Sequence, residues 1–244
     1  MNLKTEFKKE MHTCAGLTEC ELRQGREAIR YFQQRTKQNP FFAIATGALH
    51  GSRVSFEPQQ RYVEKIVKMN PKELIHDDVN TQIIKGAQFY NQRAKALADT
   101  TRCYLKHCGP DGKKCLHEQG RKRVMNCIKN SSRYMGKKTY DLVEEYLGNP
   151  KAVAVDRHIQ DWACNQAGIC YIGERGKEKG VPLSEKQYKT IQKSVVDHAK
   201  KCKVTPIELQ VSVWLAGACK SRKKGHVWLG EGGSIACCKN GISK

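Results

Sequence analysis

The segment "GKKTYDLVEEYLGNPKAVAVDRHI", residues 136–159, decides how the chain is read. It opens on a glycine and two lysines and runs as a helical pattern from Lys137 to Leu147. It breaks at Asn149-Pro150, then seats an aspartate directly behind the apolar run Ala152-Val153-Ala154-Val155. At about 100° per residue, Met135, Thr139, Leu142, Val143 and Tyr146 form one apolar arc. Lys138 lies at the edge of that arc, near Leu142. Lys137 lies on the opposite side, with Asp141 one turn and Glu144 two turns later, which predicts an ordinary solvated ion-pair face.

Lys138 is therefore the lysine whose stem is expected to be buried, with its amine at a helix N-terminus. The helix dipole, Arg133 and Lys137 all disfavour another positive charge there. An amine that loses its proton readily is a nucleophile and a Schiff-base former. The same turn, with Gly136 and free backbone N–H groups, suits a phosphate. Asp156 follows Lys138 by 18 residues and reads as the N-cap of the next helix. A cap alone needs no chemistry, so its meaning depends on what it faces.

Outward from this segment the patterning is helical, with no convincing alternating strand. Glu21 to Gln38 is a charged helix, and Asn39-Pro40 opens the apolar "FFAIATGAL". "EPQQRYVEKIVKM" and "PKELIHDD" are further helices, and a long one runs through Leu105 after a break at Gly86. Gly109 to Arg123 carries turn signals and five basic residues and reads as a loop. Ser184 to Cys202 is amphipathic. "TPIELQVSVWLAGAC" carries a capping box on Thr205 and Glu208, and "KSRKKGHVWLGEGG" reads as a basic, loose tail. The expectation is an all-α protein of about ten short helices.

With 244 residues the chain can bury a real core. Its 44 Lys+Arg against 24 Asp+Glu give a formal charge of +20, which favours a polyanionic partner such as nucleic acid. "MNLKTEFKKEMHTC" lacks the apolar core of a secretory leader, and no apolar run is long enough to span a bilayer, so an intracellular location (cytoplasm, nucleoid or nucleus) is expected. In such a compartment the twelve cysteines are expected to be scattered thiols. Cys103, Cys108, Cys115 and Cys127 cluster, but their spacings do not match a zinc site, and zinc there is disfavoured.

The 136–159 element resembles the helix-hairpin-helix DNA glycosylase superfamily. That family's signature is a hairpin "G-x-G-x-K-T/A", a helix, then "hydrophobic-x-V-D-x-H". The Lys138–Asp156 spacing is similar to that of the endonuclease III branch; counted from Lys137 it is similar to the 8-oxoguanine branch. The threonine after Lys138 and the face argument both choose Lys138. "NPFFAIATGALHGSRVSFE", "FYNQRAKALADTTRCYL" and "TPIELQVSVWLAG" resemble further family helices, so the likeness covers about residues 35 to 220. Three departures stand out: Tyr134 replaces the hairpin's first glycine, Ser52 replaces a glutamine that enters the duplex, and the iron–sulfur ligands are missing.

The resemblance implies two helical subdomains, residues 33–150 and residues 1–32 with 151–244, and a DNA-binding cleft between them. It implies a base-excising glycosylase with lyase activity at abasic sites, in which Lys138 attacks the sugar and Asp156 assists. Arg133, Met135, Gly136, Lys137 and Thr139 would hold DNA phosphate, and Ser52 and Arg53 would fill the gap left by the flipped base. Double-stranded DNA is the implied partner and a monomer the implied state, with no cofactor beyond a structural monovalent or divalent cation at the hairpin. His158 is expected to pack rather than react. The alternatives are a glycosylase for an unusual modified base, such as a modified cytosine in foreign DNA, a non-catalytic hairpin module, and a zinc-stapled structural protein.

Overall fold

A helix that is apolar on every side has to be surrounded. "FFAIATGAL" forms such a helix, Phe41–Leu49 (α2), and all nine of its residues are buried. The computed structural model describes residues 14–50, 56–109, 111–171, 183–220 and 225–238. Around α2 stand Glu19–Gln38 (α1), Phe56–Ile66 (α3), Tyr90–Cys108 (α5) and Lys137–Tyr146 (α7). Asp77–Ile83 (α4) and Glu118–Ser131 (α6) pack against α5. The approach of α2 to α7 is so close that a side chain at Gly47 would start 2.0 Å from Val143 Cγ2 and 3.3 Å from both Met135 Cε and the Thr139 carbonyl oxygen. This contact fixes where α7 begins relative to the end of α2.

A second, smaller core joins Arg157–Ala167 (α8), Glu185–Lys201 (α9) and the extended segment 152–155. Helix Pro206–Lys220 (α10) lies between the cores, giving Val211 and Leu215 to the first and Leu209 and Val213 to the second. α1 is shared too, with Leu22 in the second core and Ile29 and Phe32 in the first. The sequence division at residue 32 falls inside α1, and that at residue 150 falls between α7 and α8.

Three expectations are corrected. The loose tail contains an antiparallel hairpin, His226–Gly230 (β1) with Gly233–Ala236 (β2), and its Val227, Leu229 and Ile235 join the first core. The basic stretch after Gly109 is mostly structured: Lys113–Leu116 is a 3-10 turn and α6 starts at Glu118. The cysteines are not thiols. All twelve are paired, as Cys14–Cys202, Cys20–Cys238, Cys103–Cys127, Cys108–Cys115, Cys164–Cys170 and Cys219–Cys237. The cluster weighed as a zinc site therefore spends its four sulfurs in two bridges that staple α5 to α6 and to the turn before it. Dense bridging belongs to proteins that mature under oxidising conditions and to intracellular proteins of hyperthermophiles. Among the described residues no helix is long and apolar enough to cross a membrane.

Candidate active site

α6, the turn at residues 132–136 and α7 form a helix-hairpin-helix. Gly136 is the N-cap of α7 and has open space where a side chain would be. Its carbonyl accepts from Tyr140 N–H at 3.1 Å and from the Thr139 hydroxyl at 2.7 Å, so Thr139 locks the turn from inside and is itself buried. Arg133 and Gly136 are exposed, Met135 is half-buried, and the Arg133 guanidinium lies 5.3 Å from the centre of the Tyr134 ring. Ser52 and Arg53 lie outside the described residues.

Lys137 is exposed and makes the ion pair with Asp141 that the helical wheel predicts, although Asp141 itself is buried. Lys137 Nζ sits 3.3 Å from both oxygens of Asp141 and 5.0 Å from the centre of the Tyr188 ring. Asp141 is buried at 5% exposure and also accepts from Gln192 Nε2 at 2.9 Å. Burial pushes its carboxyl above the usual range, against the pull of Lys137. Lys137 stays exposed, paired with Asp141 on its own helix and with its ammonium over the Tyr188 ring of α9. Lys138 is half-buried and has no ion pair among the described residues. Its charge acts on His50 at the end of α2 and on Glu145 two turns along α7.

Asp156 caps α8, accepting the Ile159 N–H at 3.0 Å, and is half-buried. The cap and the facing role are compatible, because a carboxylate has two oxygens and the cap uses only Oδ1. Its charge, like that of Lys138, acts on Glu145. The helix-start lysine and the capping aspartate are therefore both near enough to the buried Glu145 carboxyl for their charges to act on it. His158 packs its ring on the backbone of Gly217, where a side chain would meet Nδ1 at 2.3 Å.

Sequence reasoning missed His50 and Glu145. His50 is 5% exposed and ends a polar chain that starts at the surface. Arg35 Nη2 donates to Glu64 Oε2 at 2.6 Å, Gln60 Nε2 donates to Glu64 Oε1 at 3.0 Å, and Gln60 Oε1 lies 3.1 Å from His50 Nε2. A carboxylate only accepts, so the Gln60 amide is oriented with its oxygen toward the histidine. That oxygen needs a donor, which makes His50 the Nε2–H tautomer with a bare Nδ1. Burial, then Lys138, push the imidazole pKa down to about 3, so the ring is neutral. Glu145 is fully buried; its place on the Lys138 stripe, seven residues on, was the available signal.

The fold, with its helix-hairpin-helix turn, is one shared with solved 8-oxoguanine DNA glycosylases. No family model matches the sequence, nor does any curated protein. Among solved structures the chain is similar to the 8-oxoguanine DNA glycosylase of Methanocaldococcus jannaschii, with a TM-score of 0.57 and 17% identity over 78% of this chain and 84% of that one. It is similar also to the 8-oxoguanine DNA glycosylase of Thermotoga maritima, with a TM-score of 0.57 and 15% identity over 80% of this chain and 86% of that one. At these identities the likeness is one of fold.

Proposed function

We propose that the chain is a DNA glycosylase that extrudes an altered base from duplex DNA, releases it through a lysine Schiff base and nicks the strand at the resulting site. What supports this reading is the place of Lys138 in the first turn of α7 and of Asp156 at the cap of α8, each near enough for its charge to act on the buried Glu145, while Lys137 pairs with Asp141. A phosphate-binding hairpin has no use for a half-buried lysine and a capping aspartate that act on one buried carboxyl.

In this reading the exposed hairpin and the surplus of positive charge hold the DNA backbone. The target nucleotide swings out of the stack toward Lys138. Asp156 takes a proton from the amine and stabilises positive charge developing on the sugar. Nζ then attacks C1′, the bond from C1′ to the base breaks, and the base leaves with a proton. Opening of the sugar ring gives an iminium. Loss of a C2′ proton then expels the 3′ phosphate, and water hydrolyses the imine to free the lysine. A cation at the hairpin and a monomeric state belong to the same proposal.

The test is base release from duplexes carrying 8-oxoguanine, other oxidised bases or modified cytosines. Asp156→Asn is expected to slow release of whichever base is excised by at least about a hundredfold, with duplex affinity retained. An Asp156→Asn protein as active as the parent refutes the reading.

A further inference from the structure

On the helix of Lys138, against the segment that leads to Asp156, stands an ionisable group for which the proposed reaction has no step. Glu145 is 0% exposed, yet among the described residues only one of its carboxyl oxygens has a partner: Oε1 accepts the Ala154 N–H at 2.5 Å, and Oε2 has none. The residue is best understood from the chain it touches. Segment 152–155 is extended and buried with no strand beside it, so its peptide groups need side-chain partners. Three helices supply them. Gln192 of α9 donates to the Val153 carbonyl at 2.8 Å, and Glu145 of α7 accepts the Ala154 N–H. Gln210 of α10 donates to the Ala154 carbonyl at 3.4 Å, and the Tyr188 hydroxyl of α9 accepts the Val155 N–H at 2.9 Å. The next residue is Asp156.

We propose that Glu145 is a positioning residue for Asp156: its carboxyl clamps the Ala154 amide and so sets where the aspartate meets the sugar. This rests on the reading of Lys138 and Asp156 as the reacting pair. Of the four side chains in the harness, Glu145 alone also belongs to the helix that carries Lys138. It ties both halves of the pair to one rigid element, and a misplacement of about 1 Å in such a pair costs orders of magnitude in rate.

Burial disfavours the charged form of this clamp. The charged and titratable groups acting on Glu145 are Asp141, Lys138 and Tyr146 on its own helix, Asp156 at the end of the segment and Tyr188 on α9, while α10 presents the neutral Gln210. Burial dominates and pushes its carboxyl well above the usual range. An ionised Glu145 would add a second negative charge near Asp156. The alkaline limb of activity should therefore carry the ionisation of Glu145.

The experiment is the single-turnover rate of borohydride trapping on a duplex with one abasic site, from pH 6 to 10, for Glu145→Gln, Glu145→Leu and Asp156→Asn. Glutamine keeps an acceptor for the Ala154 amide and does not ionise: trapping within about threefold of the parent at pH 7 is expected, with the alkaline limb moved upward. Leucine keeps the volume and removes the acceptor, and should slow trapping about tenfold or more while the protein stays folded. A folded Glu145→Leu protein that traps as fast as the parent overturns the proposal. Should the leucine variant not fold, an alkaline limb unchanged in Glu145→Gln overturns it. If Asp156→Asn traps normally, the reacting pair itself is wrong. If Asp156→Asn is inactive while both Glu145 variants match the parent, only the positioning role falls.

Discussion

Removing Cys14–Cys202 and Cys20–Cys238 singly and together tests how the two ends of the chain are held. With the other bridges intact, Cys20–Cys238 closes a ring that runs through Cys14, Cys202, Cys219 and Cys237, so the shortest path is about 24 residues of chain. The chain-entropy relation gives about 3.5 kcal/mol for a ring of that size. Cys14–Cys202 closes the same ring, so its removal alone should cost the same. Once either is gone, the survivor closes roughly 160 residues even with Cys103–Cys127 and Cys164–Cys170 short-cutting the path, and its loss costs about 5 kcal/mol. The double removal should therefore exceed the sum of the single removals by about 1.5 kcal/mol. The assay is urea unfolding at pH 7 of Cys14→Ala/Cys202→Ala, Cys20→Ala/Cys238→Ala and the fourfold variant. Additive costs would refute the reasoning, as would free thiols titrated in the unreduced, denatured chain.

Other perturbations read other contacts. Gly47→Ala should destabilise the protein by about 1–3 kcal/mol in thermal unfolding, because the new methyl overlaps Val143, and Val143→Ala in the same chain should recover part of the loss. Nitrogen-15 NMR of His50 should show an Nε2–H ring with no titration between about pH 5 and 8, since its pKa is pushed down to about 3. Glu145 makes stability depend on pH with a definite sign. Its folded pKa is raised, so its contribution is fully present below the ordinary glutamate range and is lost as pH rises toward the folded value; Glu145→Gln should flatten that slope in denaturation at successive pH values.

How much of this was legible in the sequence varied with the range of the forces involved. Helix ends set by neighbouring residues were readable: the Asp156 cap and the Thr205–Glu208 box form the hydrogen bonds their spacing demands. The choice of Lys138 over Lys137 rests on periodicity and on the threonine that follows it, and belongs to the proposal. What lay beyond reach depends on residues far apart in the chain. Cys14 and Cys202 are separated by 188 positions, and no spacing rule pairs them. The C-terminal hairpin is a four- and a five-residue strand joined by Glu231-Gly232, and it was hidden by the basic residues before it. Asp141 reads as a solvated helix carboxylate until α9 covers it, and the burial of Glu145 depends on segment 152–155. His50 gains its neutral form from a chain of side chains on α1 and α3 that local patterning does not reveal.

The most direct test of the reacting pair is to trap the covalent intermediate and locate it. The chain is incubated with a duplex carrying one abasic site in the presence of borohydride, digested, and the cross-linked peptide sequenced by mass spectrometry. The adduct should sit on Lys138, persist in Lys137→Ala and vanish in Lys138→Ala. An adduct on Lys137, or none under conditions where the duplex is bound, contradicts the account.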